Sequence, residues 1–386
     1  MKKYWKLSLI VLVAAAGIGS FYIQKALSKS SLPEFTLQQE KGEGGSPKLT
    51  LVGSYEERST LAQSEYSYEP VNITLSGSRY KNSLSYIQQQ ESNWFSYPDY
   101  DNLQRKHRDF MRGVKWEGGV FENEKWLVSV QPANSPEQWS TFSFKVADKK
   151  TKKQMEFLAD IPNKRNSWID IHDVQRIGNE VKVLAEKLGE DEQLVLYTFS
   201  LQSQKLIREK SFELKEKDQN ISSRFNFYDK QYQTGPEKEA VYEVEFFEEV
   251  QKQEGHWEEV TASKVLFIIN LESETAESVK LNSESETMNY YGAGSENLYQ
   301  AAYVNGRITV SEIDSKTQKT DILTEIKAAE ASQAAAFKDD VLFVVYSRSV
   351  KGYNVNSGKE VYSYKIAHKP LEKGARLSIN TIHIAD

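Results

Sequence analysis

The chain has 386 residues, with 49 Lys+Arg against 55 Asp+Glu, no Cys, 39% hydrophobic and 12% aromatic residues. A net charge of -6 gives no general attraction to nucleic acid or anionic lipid, and the lack of cysteine excludes disulfides, thiolate metal sites and cysteine nucleophiles. The apolar and aromatic content is too high for a disordered chain, and the length suits one large all-β domain or two ordinary ones.

Lys2, Lys3 and Lys6 precede an uncharged run from Leu7 to Ile23 that Lys25 closes. At 1.5 Å per residue that run makes ~26 Å of helix, against a hydrocarbon core of ~30 Å. Tyr4, Trp5, Phe21 and Tyr22 stand at its ends, where aromatic rings favour a membrane interface. Residues 1–28 are therefore expected to be a signal-anchor: one transmembrane helix, the N-terminus cytoplasmic and the rest extracytoplasmic. Cleavage near Ala26-Leu27-Ser28, giving a secreted protein, is the alternative. Residues 29–48, rich in Ser, Gly, Gln and Pro, read as a flexible linker, and 49–386 as the extracytoplasmic domain. The basic flank, the single apolar segment, the excess of Lys over Arg and the lack of Cys resemble single-span surface proteins of low-GC Gram-positive bacteria. The resemblance concerns composition and topology, and it implies a place in the cell envelope.

The segment 94–112 is the densest aromatic and basic cluster, with Trp94, Tyr97 and Tyr100 followed by Arg105, Arg108 and Arg112. Trp, Tyr and Arg are enriched at binding hot spots, so these six are the candidate binding residues; filling a core is the blander use of the aromatics. Asp101 to Arg112 reads as a short helix with Asp101 as N-cap and Leu103, His107 and Phe110 on one side. Further on, strand alternation in Trp168-Ile-Asp-Ile-His172 places Trp168, Asp170 and His172 on one face. Asp170 and His172 are the weak catalytic candidates, as a carboxylate beside an imidazole can act as a general-base pair; a hydrogen-bonded strand pair is the alternative. Residues 237–259 predict a long acidic hairpin turning at 253–256, Tyr242, Val244 and Phe246 inward and the Glu residues outward. Asp321 to Phe337 is Ala-rich and favours helix by propensity.

That last segment is claimed instead by a repeat. An alternating strand followed by a polar turn recurs at Val146, Leu201, Leu271, Ile313 and Val355, at intervals of 55, 70, 42 and 42. The shorter intervals match the ~40–50 residues of a four-stranded propeller blade, which requires two strands within 321–337. The units are similar to the degenerate blades of extracytoplasmic β-propellers, without the signature of any named repeat class. An all-β propeller of about seven blades, with six or eight as alternatives, is expected; the alternative is a pair of β-sandwiches.

None of the five His pairs with another at i, i+2 or i, i+4, and no Gly-x-Ser-x-Gly, Walker-type or Gly-x-Gly-x-x-Gly loop occurs. No metal or cofactor is expected. The reading is a binding or scaffold module of the bacterial cell envelope that recognises a protein or a cell-wall glycan without catalysis and takes no nucleic acid. A propeller-type carbohydrate-active enzyme with carboxylates at one rim is the alternative.

Overall fold

Residues 35–41, which composition assigns to a linker, obey the strand rule instead. In β1 (Phe35–Lys41) the side chains of Phe35 and Leu37 are buried while Thr36 and Gln38 face away, the period of two that a half-buried strand requires. The computed structural model describes residues 9–17, 19–20, 32–42, 47–58, 66–84, 98–115, 118–133, 140–162, 168–188, 193–212, 221–226, 235–253, 256–281, 289–293, 297–314, 316–317, 319–328, 330–371 and 374–385.

Within them the strands form six antiparallel sheets. The first contains β2 (Lys48–Arg58), β3 (Tyr66–Thr74) and β4 (Gly77–Tyr80). The second contains β5 (Gly119–Glu122), β6 (Trp126–Pro132), β7 (Thr141–Asp148) and β8 (Gln154–Asp160). The third is β9 (Trp168–Ile177), β10 (Glu180–Leu188), β11 (Gln193–Ser200) and β12 (Lys205–Phe212). The fourth is β13 (Ile221–Asn226), β14 (Glu239–Gln253), β15 (His256–Asn270) and β16 (Thr275–Leu281). The fifth is β17 (Asn289–Ala293), β18 (Leu298–Val304), β19 (Arg307–Asp314) and β20 (Lys319–Lys327). The sixth is β21 (Ala334–Lys338), β22 (Val341–Val345), β23 (Ser349–Asn354) and β24 (Glu360–His368).

The two ends of the chain are exchanged between neighbouring sheets. The last strand, β25 (Arg376–Ala385), lies beside β2 and completes the first sheet, with Lys48 opposite Ala385 and Glu56 opposite Arg376. In turn β1 adds a fifth strand outside β24, with Phe35 opposite His368. Apolar clusters then join the second sheet to the third, third to fourth, fourth to fifth, fifth to sixth, and sixth to first. The first strand of one sheet meets the first strand of the next at β5–β9 and β17–β21, and β21 meets β25. Among the described residues this is a β-propeller of six blades, the sixth and first tied together by β1 and β25, and its blades are numbered here as the sheets are.

Six blades replace the expected seven because the chain spends residues elsewhere: on the two fifteen-residue strands of blade 4, on a helical segment before blade 2, and on β1. A pair of sandwiches is not what the six separate sheets form. Within 321–337 lie the end of β20 and the start of β21, two strands as the repeat required: cross-strand pairing and blade packing override Ala propensity there.

The repeat itself is offset from the residues that revealed it. Its structural equivalents are Asp148, Ser200, Asn270, Asp314 and Asn354, whose side-chain oxygens each accept backbone N–H bonds from the turn after the third strand. The true intervals are therefore 52, 70, 44 and 40. Four positions beyond these residues the chain turns left-handed, at Lys152, Gln204, Glu274 and Gly358, with φ of 60°, 56°, 58° and 64°. Only the last uses the residue such a turn favours.

The expected membrane anchor is contradicted. Residues 9–17 and 19–20 are helical, but no helix among the described residues is long and apolar enough to cross a membrane. The single-pass topology, and the extracytoplasmic placement that followed from it, have no footing in the structure.

Candidate functional site

Two places gather the residues that sequence singled out. The first is a helical segment on blade 2. Helix α1 (Pro98–Lys106) starts three residues before the expected cap, with Pro98 at a first-turn position that needs no N–H. Helix α2 (Arg108–Met111) follows after a break at His107. Their apolar side packs on Val120, Leu127 and Ala147 of blade 2 through Tyr100, Leu103, Phe110 and Met111. Tyr100 is only 1% exposed and its hydroxyl donates to Gly118 O at 3.2 Å. That corrects its expected role: it holds the segment down and offers nothing to a partner. Arg105, Arg108 and Arg112 are exposed on the opposite side. Trp94 and Tyr97 lie outside the described residues.

Glu122 anchors this segment, and sequence reasoning passed it over. Its Oε1 accepts from Lys149 Nζ at 2.7 Å, stands 2.9 Å from His107 Nε2 and 3.7 Å from Lys106 Nζ. Burial alone would raise the pKa of Glu122; the hydrogen bonds from Lys149 and His107, and the charges of Lys149 and Lys106, outweigh it and lower the pKa. The three partners come from α1, the turn after α1 and the β7–β8 turn, so no local motif announces the group.

The second place is the blade 3–blade 4 junction. In β9, Ile171 is opposite Ala185 and Asp173 opposite Leu184, leaving His172 as the extra residue of a bulge. Ile169, Ile171 and Val174 face blade 2, whereas Asp170 and His172 share the other face, as alternation predicted. The bulge turns Asp173, which strict alternation would send to the opposite face, onto this one, where its charge acts on Tyr242. His172 Nε2 stands 3.2 Å from Glu186 Oε2, with side chains 1% and 10% exposed, and its ring meets Tyr242 edge-on at 6.3 Å. Trp168 is 54% exposed and takes no part. Gln175 ties the junction, donating to Asp173 Oδ1 and Gly235 O and accepting from Glu237 N. Asp170 has its pKa raised, first by burial and further by the Glu186 charge, while His172 opposes the rise.

Farther out on the same junction lies an ionic clamp. Glu274, at the left-handed turn of blade 4, receives Lys182 Nζ at 2.9 Å, Thr198 Oγ1 at 3.1 Å and Arg208 Nε at 2.6 Å, all from blade 3. Lys182, 3% exposed in its side chain, also donates to Leu271 O and Glu272 O. This clamp is structural.

The acidic hairpin has the predicted course, β14 and β15 pairing from Glu239–Asn270 to Gln253–His256. Tyr242, Val244 and Phe246 are buried as expected, but Glu243 is too, at 1% exposure, with Lys264 Nζ 3.3 Å away. Among the described residues no group of three or more His, Asp or Glu is arranged to hold a metal ion.

No family model and no curated protein matches this chain. Solved structures do resemble it. An oligogalacturonate lyase in complex with manganese has a TM-score of 0.36 at 8% identity, covering 84% of this chain and 83% of that one. The β-propeller domain of the Trilobed protease from Pyrococcus furiosus scores 0.26 at 10% identity, covering 84% and 97%. The WD40 domain of SCAP from fission yeast scores 0.33 at 15% identity, covering 66% and 56%. Identities and scores this low say nothing about activity, and the propeller assignment rests on the sheet order and the strand exchange described above.

Proposed function

We propose that this chain is a recognition module: a rigid propeller that binds an acidic partner through α1–α2 without chemistry. One observation supports the reading most. The helical segment has its apolar side on blade 2 and presents Arg105, Arg108 and Arg112 to solvent, where neither the core nor the ring closure uses them. Asp109, 3.7 Å from Arg112, offsets part of this charge, and the positive remainder on a fixed support accelerates encounter with a complementary partner. The test is in-cell photo-crosslinking from a probe residue at position 108, with position 322 as control, since Ile322 is 66% exposed on blade 5. Adducts from 108 and not from 322 are expected. Equal labelling at both positions, or none at 108, defeats the proposal.

A second reading, a carbohydrate-active enzyme with Asp170 as proton donor, has one observation in its favour. Asp170 faces Glu186 directly across the strand pair, is half-buried, and holds its proton to higher pH than an ordinary carboxyl. Its weakness is His172, sealed within the junction and directed at Glu186. Replacing Asp170 with Asn abolishes hydrolysis under this reading and leaves crosslinking from position 108 intact under the first.

A further inference from the structure

The positive surface does not end at the helices. Through Lys149, Glu122 brings the β7–β8 turn against α1, joining two segments far apart in sequence. That turn is Asp148-Lys149-Lys150-Thr151-Lys152-Lys153, and Lys150, Lys152 and Lys153 are all exposed. Asp148 is occupied inside the turn, where its Oδ1 accepts the N–H groups of Lys150 and Thr151. Asp109 and Glu124 are exposed carboxylates within the same region, and Asp109 lies 3.7 Å from Arg112. Six outward cations on two adjoining elements thus stand on a chain whose net charge is -6.

Building on the proposed function, we infer that α1–α2 and the β7–β8 turn form one cationic platform whose ligand is a linear polyanion, with phosphate or carboxylate groups repeating along a flexible chain. Among its described residues the platform lacks what an acidic protein would need. Stable protein interfaces have an apolar or aromatic centre from which water is excluded. Here Tyr100, Leu103, Phe110 and Met111 are consumed by blade 2. Trp126, at the edge, is already covered by Lys125 at 4.9 Å and Arg176 at 3.4 Å from the ring centre. What stays exposed among the described residues of the two elements is charge on long side chains. Such a surface attracts a polymer by counterion release and adapts to its spacing, with affinity that falls steeply as salt rises.

The test titrates the full chain with labelled inorganic polyphosphate, with alginate, and with neutral dextran, at low and at raised NaCl. Two triple variants are compared, K150E/K152E/K153E and R105E/R108E/R112E. All six positions are exposed, and Glu at 152 takes the left-handed backbone that Glu274 already adopts at its equivalent turn. Thermal unfolding confirms that each variant keeps its fold. Wild type is expected to bind one or both polyanions and not dextran. Each triple variant should lose affinity by at least about tenfold at ~0.1 M salt, with a shallower salt slope. Preference for polyphosphate over alginate, or the reverse, identifies the anionic group. Wild-type binding that the Lys variant retains in full overturns the extended platform and leaves the α1–α2 reading standing. If neither polymer binds while position 108 still crosslinks to an acidic protein, the polyanion assignment is overturned and the recognition reading survives.

Discussion

Replacing Glu274 with Gln should loosen blade 4 from blade 3. Glu274 occupies a left-handed position, φ 58°, where a non-glycine residue costs ~1–2 kcal/mol. It is kept there while its carboxylate receives Lys182, Thr198 and Arg208 from three successive strands of blade 3. Gln keeps the shape and one acceptor oxygen but removes the charge and turns an NH2 toward one of the two cations, leaving the buried Lys182 ammonium without a counter-ion and with Leu271 O and Glu272 O as its backbone acceptors. Removing one partner of a buried pair costs ~3–5 kcal/mol, and the two carbonyls place this case near the lower end, about 3 kcal/mol. In urea, with a slope of ~3 kcal/mol/M, the midpoint falls by ~1 M. Lys182→Met should cost a similar amount, and the double variant should recover at least ~1.5 kcal/mol relative to the sum. pH gives a second reading of the same carboxylate. Burial raises its pKa, but Lys182, Arg208 and Thr198 outweigh that and lower it below the ordinary value. The clamp therefore contributes fully above the unfolded carboxyl value of ~4.3, and the contribution is lost as pH falls through the folded value. Glu274→Gln should flatten that acid limb. A midpoint shift below ~0.2 M, or strict additivity of the two substitutions, would refute the reasoning.

Glu122→Gln should free the helical segment without unfolding the ring: amide exchange in 98–111 should rise by an amount equivalent to ~2 kcal/mol, blade 5 staying unchanged. Asp170→Asn should stabilise the protein at neutral pH, raising Tm by ~2 °C, because the folded state favours the protonated acid. That gain should shrink as pH falls through the raised folded value towards the unfolded carboxyl value of ~3.9; a gain independent of pH contradicts the assignment. Gly119→Ala should cost ~1–3 kcal/mol, since an added Cβ would meet Val174 Cγ2 at 2.2 Å where β5 and β9 approach; an unchanged melting curve would dispute that approach.

The sequence disclosed the fold through its third strands. Val146, Leu201, Leu271, Ile313 and Val355 are all buried beside the turn into the fourth strand, because that hairpin is where apolar alternation and a polar turn coincide in each of blades 2 to 6. The offset arose because Val146 and Ile313 end the apolar pattern early, whereas register is kept by the capping oxygens of Asp148 and Asp314. β1 was hidden by its setting: two apolar residues amid Ser, Gly and Gln read as linker until β24 supplies a strand to pair with. The site was less legible. Arg105, Arg108 and Arg112 are exposed on or just after α1 and α2, but Tyr100 beside them is core. Glu122, Glu186 and Glu274 were invisible because their partners are supplied by other strands, turns and blades, and spacing along one chain carries no record of that.

The central claim, recognition through a cationic surface on blade 2, is tested most directly by hydrogen exchange on the full chain with and without inorganic polyphosphate. The account predicts slowed exchange confined to residues 98–112 and 148–153, reversed by raised salt. Protection that instead centres on β9 around Asp170, or none at the helices, would contradict it.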